Sequence, residues 1–374
     1  MDKEYTRQLE IIEAAIEKWL PKNPEKAWFQ TVFPDICGEI SQDSLEALLA
    51  PGKDLLCRGG KRWRPLLMTL VCQALGGGDA SVPLAPLVEL CHNASLIHDD
   101  IEDNSEQRRG LPAVHRIYGD DTAINSGSFL YFLPLSCIES WANELAEKGC
   151  DRAQEYKDVI YRLWAEHIRK LHLGQAMDIH WHRNFSLIPG IEEYYLMCGL
   201  KTGSLAGFAA KLGVHAACVA GAQIEQADKA IGQFGEAAKK LGIGFQILDD
   251  VKNLSTGIPG KKRGDDVVEG KKSLPVLLYL HNYQGKFDYQ DKLDFVSRCF
   301  SAAKANGAGA PEVEEFIQAL CASGALEEAK EKGLDLIAQA QKIFTAPDEI
   351  PNGAGFTISP QSSKLFDGFI RLIT

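Results

Sequence analysis

Nothing in this sequence reads convincingly as a run of β-strands; alternation of polar and apolar residues is missing throughout. No apolar run approaches the about 20 residues that span a bilayer. The opening MDKEYTRQLEIIEAAIEKWL is amphipathic and acidic, without the apolar core of a secretory signal. The expectation is a soluble, cytoplasmic protein with no stable membrane insertion. Ten cysteines are present, but none form a CxxC pair or a Cys/His ligand spacing, so neither a zinc site nor a disulfide scaffold is indicated. They read as small, reduced core residues. Positive charge is short too: 40 Lys and Arg stand against 51 Asp and Glu, a net charge of −11, which argues against a general nucleic-acid or anionic-membrane binder. No short repeat is present. Gly76-Gly77-Gly78 lacks the preceding strand and the GKS/T of a phosphate loop, and reads as an inter-helix turn.

Helical periodicity fills the remaining space. Leu9, Ile12, Ile16 and Leu20 set an amphipathic helix over 3–20. A second helix, with Leu45, Leu48 and Leu49, is expected to end near Pro51-Gly52. Gly59 and Gly60 break or bend the backbone before Lys61, Arg62 and Arg64, and Pro65 opens an apolar helix. More helices are expected over 84–103, 121–146, 155–182 and 224–253, and in the segment interrupted by Lys201-Thr202-Gly203. The stretch 255–272 reads as a basic, Gly-rich loop. Helices resume after Pro275, Asn306 to Pro311 reads as a turn, and Thr345 to Gln361 as a long Pro/Gly loop before a short C-terminal helix. Long helical periods with short breaks predict one all-α domain over 1–374.

The chemistry concentrates in 92–115. Asp99 and Asp103 lie four residues apart and share a helix face, with Asp100 beside them. Crowded carboxylates cost stability unless a cation compensates them, and hard oxygen ligands suit Mg2+. Arg108 and Arg109 follow, and guanidinium forks suit phosphate oxygens. The bland reading is a solvated acidic helix end with a charged loop. A second cluster weakens it: Asp249, Asp250 and Asn253 repeat the spacing, with Gln246 one turn upstream. Two such clusters facing each other across a bundle would hold several Mg2+ ions and a diphosphate. Lys261 and Lys271 flank a loop able to fold over that site, Lys201 and Thr202 offer a charge and a hydroxyl, and Lys61, Arg62 and Arg64 suit a second phosphate. For the last set a solvated basic face remains open, and Trp63 among them permits simple stacking. His92 and His98 are as readily satisfied core residues as ligands. Gln175, Asp178 and Trp181 at helical spacing read mainly as packing and support.

Taken together these segments resemble the all-trans isoprenyl diphosphate synthases, or polyprenyl synthetases. GGKRWRP (59–65), SLIHDDIEDNSEQRRGLPAVH (95–115), LGQAMDI (173–179), KTG (201–203), FQILDDVKN (245–253) and GKKRGDDVVEGKKSLP (260–275) occur in that family's order. The wording is most similar to geranylgeranyl diphosphate synthases. The resemblance implies an all-α single-domain bundle around a deep central cavity, a homodimer, and about three Mg2+ ions per site. It implies that isopentenyl diphosphate is joined head-to-tail to dimethylallyl, geranyl or farnesyl diphosphate. By matching position, Asp99, Asp103 and Asp249 would ligand Mg2+, with Asp100 and Asp250 in support. Arg108, Lys201, Thr202, Gln246, Lys261 and Lys271 would surround the allylic diphosphate, and Lys61, Arg64, His92 and Arg109 would bind isopentenyl diphosphate. Asn253 departs from the family's Asp; it would still accept a bond from a Mg2+-bound water, without charge.

A terpene cyclase would share the fold and the first cluster, but its second metal motif needs Asn/Asp, Ser/Thr four on and Glu eight on, and Gly257 stands at the middle position. A non-catalytic regulatory subunit has Asn253 as its one supporting feature and the intact first cluster against it. Ala94 and Ser95, in the turn before Asp99, are small. They would let a growing chain pass the depth at which a farnesyl tail stops, with Phe129 or Phe132 as the floor. That favours a geranylgeranyl product over a farnesyl or longer polyprenyl one.

Overall fold

The computed structural model describes residues 3–36, 38–224, 226–257, 262–349 and 357–374. In chain order the helices are α1 (Lys3–Trp19), α2 (Lys26–Val32), α3 (Gln42–Cys57), α4 (Trp63–Ala74), α5 (Ala85–Glu102), α6 (Val114–Tyr118), α7 (Asp120–Glu147), α8 (Ala153–His182) and α9 (Ile191–Lys201). They continue as α10 (Gly203–Val219), α11 (Ala227–Leu254), α12 (Asp265–Glu269), α13 (Leu274–His281), α14 (Tyr289–Asn306), α15 (Pro311–Ala322), α16 (Ala325–Thr345) and α17 (Pro360–Ile373). The fold is all-α. Among the described residues the strands are β1 (Gln107–Arg108) and β2 (Leu111–Pro112), a small antiparallel hairpin.

Contacts divide the chain into two compact units. The first comprises residues 1–167, 205–235 and 343–373. Its centre is α5, whose Leu87, Val88, Leu90, Cys91, Ala94 and Ile97 are wholly buried. Pro86 sits at the start of α5, where a missing N–H costs nothing. Helix α7 packs on α5 at close range: a methyl added at Gly127 would meet the His98 ring at 2.8 Å. Helix α3 packs on α7 in the same way, and it runs through Pro51 instead of ending there. Pro51, Gly52, Leu55 and Leu56 are all buried, and a Cβ on Gly52 would meet Leu130 at 2.9 Å. Burial of this turn outweighs the hydrogen bond that proline removes.

The second unit comprises 168–204, 236–342 and Thr374. Tyr194, Cys198, Ile247, Leu274, Phe300 and Phe316 build its core, with Phe300 and Phe316 edge to face at 5.6 Å. The 201–203 interruption is real: α9 closes at Lys201, Thr202 donates its N–H to the Cys198 carbonyl at 2.9 Å, and α10 begins at Gly203. The loop expected over 255–272 contains a helix, α12, set between Gly264 and Gly270, both in left-handed conformation. The Asn253 side-chain oxygen accepts from the Asp266 N–H at 3.2 Å and so ties α12 to α11. Asn253 is wholly buried. Its oxygen is thus already engaged by the Asp266 backbone, where the sequence suggested a bond to a metal-bound water. Helix α2 has no counterpart in the sequence reading. No helix among the described residues is long and apolar enough to cross a membrane.

Candidate active site

The acidic end of α5 lies where the sequence places it. Asp99 and Asp103 are one turn apart, and the Asp103 N–H closes onto the Asp99 carbonyl at 2.8 Å. Asp100 is buried and clamped by Arg108, whose Nε lies 2.8 and 3.1 Å from its two oxygens while Nη2 makes a very short contact. Arg108 Nη2 also reaches Asp99 at 3.5 Å. Asp100 thus supports the hairpin that carries Arg108, as a buried charge needs a partner.

A cationic pocket stands on α4, α5 and the turn before β2. Arg62 and Arg109 both have left-handed backbones, φ 45° and 54°, a conformation that costs a non-glycine residue about 1 kcal/mol or more. Arg62 donates to Glu13 at 2.7 Å, Glu89 at 2.9 Å and the Leu56 carbonyl at 2.7 Å. Arg109 Nη1 donates to the Leu55 carbonyl at 2.8 Å. Arg64 is buried with its guanidinium over the Trp63 ring at 4.3 Å, and its Nε has no hydrogen-bond partner among the described residues. Burial first, then Arg109, brings Arg64 down to about 10 against the pull of Glu89; burial brings Arg109 to about 10 as well. Both stay charged at neutral pH. Desolvation and the surrounding arginines hold the His92 imidazole well below its ordinary value, so it is neutral there. Lys61 donates to the Leu372 and Ile373 carbonyls of α17 at 3.0 and 3.4 Å. The structure therefore brings Arg64, His92 and Arg109 together with Arg62, which the sequence also offered to a phosphate, and it adds Glu89 and Asn93, which sequence reading passed over. A donor with no acceptor, buried among cations, is what a pocket awaiting an anion presents.

The second unit gathers the other set. Lys201 Nζ donates to Asp178 Oδ2 at 2.6 Å. The close approach rests on Gly174, where a Cβ would clash with the Lys201 backbone nitrogen. Thr202 Oγ1 donates to Gln246 Oε1 at 2.9 Å, Gln246 Nε2 donates to Asp250 Oδ1 at 2.8 Å, and Tyr194 Oη donates to Asp250 Oδ2 at 2.7 Å. Burial first, then Asp266 and Asp249, push Asp250 well above the ordinary carboxylate range. Lys271 meets Glu269 very closely and Asp266 at 3.8 Å. Asp178 is thus a direct ion-pair partner, more than packing support, and Tyr194 and Asp266 join the set. Asp249 is half-buried on α11. Lys261 lies outside the described residues.

Among the described residues no three Asp, Glu, His or Cys side chains converge as a ready-made metal cage. The donor chemistry of Asp99 and Asp103 on α5, and separately that of Asp249 on α11, nonetheless fits Mg2+, a hard ion that takes one or two carboxylates and fills its shell with water and substrate phosphate.

Comparison with known proteins defines the class. The polyprenyl synthetase family model matches residues 45–295. The chain is 35% identical over 254 residues to the geranylfarnesyl diphosphate synthase of Aeropyrum pernix, covering 67% of this chain and 72% of that protein. It is 32% identical over 309 residues to the geranylgeranyl diphosphate synthase of Methanosarcina mazei, covering 82% and 86%. The crystal structure of geranylgeranyl pyrophosphate synthetase from Pyrococcus horikoshii superposes with a TM-score of 0.75 at 25% identity, covering 99% of this chain and 96% of that one. The fold is that of the isoprenyl diphosphate synthases. The chain belongs to the polyprenyl synthetase family, and it is a trans-prenyltransferase.

Proposed function

We propose that this enzyme elongates an allylic diphosphate with isopentenyl diphosphate to geranylgeranyl diphosphate. Two diphosphates must be held and oriented, one of them as it leaves. Lys61, Arg64, His92 and Arg109 hold isopentenyl diphosphate; the buried Arg64 Nε, which has no hydrogen-bond partner among the described residues, carries that assignment. Arg108, Lys201, Thr202, Gln246, Lys261 and Lys271 surround the allylic diphosphate, and their donors strengthen as charge builds on the departing oxygen. Mg2+, with Asp99, Asp103 and Asp249 as the residues to hold it and Asp100 and Asp250 behind them, supplies charge neutralisation of that leaving group. Once the C–O bond ionises, the isopentenyl double bond attacks the allylic carbon, and loss of a proton restores an alkene.

The small Ala94 and Ser95 support the product length, as does the likeness to synthases named for geranylgeranyl diphosphate. The floor assigned to Phe132 needs correction: this residue is 59% exposed, and Phe129 stacks on Phe33 at 5.7 Å. Tyr131, buried on α7 with its ring 5.7 Å from His98, is the better floor. Because Ala94 is wholly buried, Ser95→Phe is the cleaner test. With labelled isopentenyl diphosphate and Mg2+, the parent yields the geranylgeranyl product and Ser95→Phe a farnesyl or shorter one. A hydrocarbon product would instead indicate a cyclase, and no product a regulatory subunit.

A homodimer is proposed as well, since Ile124 and Phe132 are 47% and 59% exposed two turns apart on α7; light scattering at a monomer's mass would refute it. The nine described cysteines are all unbridged, which supports a reducing, cytoplasmic location. Residues 1–374 are proposed to act as one synthase domain, which a single cooperative unfolding transition would check.

A further inference from the structure

The pocket assigned to isopentenyl diphosphate carries an anion of its own. Glu89, on α5, is 2% exposed. Its Oε1 accepts from Arg62 Nη1 at 2.9 Å and from Asn93 Nδ2 at 3.0 Å. Asn93 Nδ2 also donates to the Glu89 carbonyl at 2.8 Å, which fixes the amide. Arg62 and Arg109 flank one backbone position: a methyl on Gly60 would meet Arg109 Nη2 at 3.1 Å and Arg62 Nη1 at 3.2 Å. Glu89 therefore lies beneath the guanidiniums that would grip a phosphate, and its charge acts on Arg64 and Arg109 as well as on Arg62. At the solvent side, Glu13 holds Arg62 Nε at 2.7 Å.

A buried carboxylate in such a place opposes anion binding, since its Coulombic term with a diphosphate is repulsive. A neutral amide oxygen would satisfy the same two donors. The charge offsets that of buried Arg62, and it does so at the expense of grip on an anion.

We propose that Glu89 is a positioning residue that limits the pocket's hold on diphosphate, so that the elongated product can leave it; this rests on the pocket's assignment to isopentenyl diphosphate. In head-to-tail condensation the electron pair of the isopentenyl double bond forms the new C–C bond. The allylic C–O pair departs with its diphosphate, and a proton is lost. The product keeps the diphosphate that arrived with isopentenyl diphosphate, and the next addition requires that group to vacate the pocket. Glu89 orients Arg62 and weakens the hold on that diphosphate, on entry and on exit alike, so that each product can vacate the pocket.

Glu89→Gln keeps the oxygen that accepts from Arg62 and Asn93 and removes the charge. Isopentenyl diphosphate binding is measured by titration calorimetry in EDTA, where metal-dependent binding is silent. The variant should bind about tenfold tighter, with a lower KM for isopentenyl diphosphate and a lower steady-state kcat after a first-turnover burst. A merely structural role raises KM instead. Equal or weaker binding by a variant that melts like the parent overturns the proposal. If Glu89→Gln does not fold, Glu13→Gln decides: it should tighten binding about two- to threefold, and no change overturns the proposal. Arg64→Ala separates the two layers. If it binds as the parent does, the pocket assignment falls and the proposal with it; if it loses binding while Glu89→Gln gains none, the proposal alone fails.

Discussion

The cationic pocket of the first unit and the mixed-charge relay of the second solve one problem in opposite ways. In the pocket, arginines are locked by backbone carbonyls and by Glu89, and two of them sit on left-handed backbones. In the relay, Lys201 and Lys271 each face carboxylates, and Asp250 is held by Tyr194 and Gln246. The pocket is charged in advance and can take an anion directly. In the relay the carboxyl groups of Asp178, Asp250, Asp266 and Glu269 outnumber Lys201 and Lys271, and Asp249 beside it adds another, so a diphosphate proposed to bind there would need cations. On the proposed function, the pocket would bind without metal and the relay would need metal for ionisation.

The sharpest way to break this contrast is at the acids. Asp99→Ala or Asp249→Ala should lower kcat by about a thousandfold or more with helical circular dichroism unchanged, and EDTA should do the same to the parent. Near-normal turnover in EDTA would remove the distinction between the halves. A smaller effect sharpens it. Lys61→Ala, Arg64→Ala and His92→Ala should raise KM for isopentenyl diphosphate about ten- to hundredfold, with less effect on the allylic substrate. Lys201→Ala should show the reverse bias, and steady-state titration of each substrate reads the difference. Equal shifts on both substrates from all four variants would merge the two sites.

The smallest expected effect concerns stability in the relay's unit. Lys272 is 3% exposed, its ammonium over the Phe300 and Phe185 rings at 4.6 and 5.5 Å, and burial lowers it to about 8. An unfolded lysine titrates near ~10.4, so the unfolded chain binds more protons between these values. Stability should therefore rise as pH climbs from 8 towards 10. Lys272→Met should gain about 1 kcal/mol at pH 7, a gain that shrinks at pH 10. Chemical denaturation at the two pH values measures both. No pH dependence of the difference would show that the aromatic rings offset the cost of burial.

Much of the site was legible because its spacing is local. Asp99 and Asp103, or Asp249 and Asn253, share a face by helix geometry alone, and Lys201-Thr202-Gly203 breaks a helix in plain view. Glu89 was not legible: it sits among Leu87, Val88, Leu90 and Cys91 in an apolar run, and its partner Arg62 is 27 residues away. Asp178 was placed on the right helix, but its pairing with Lys201 depends on the close approach at Gly174. Pro51 misled because the rule for proline is local while the burial against α7 is not. Asn253 read as a weakened ligand because spacing cannot show that its oxygen already serves the Asp266 N–H.

The hairpin that carries Arg108 has strands of two residues each. A ladder that short does not persist in water by itself. Its shape is secured in part by the clamp of Arg108 on buried Asp100, so the second acid of the first cluster has a mechanical task. Loss of that carboxylate would release a strap as well as a charge. A change at Asp100 is then a change in the geometry of a loop, whatever the residue contributes to binding.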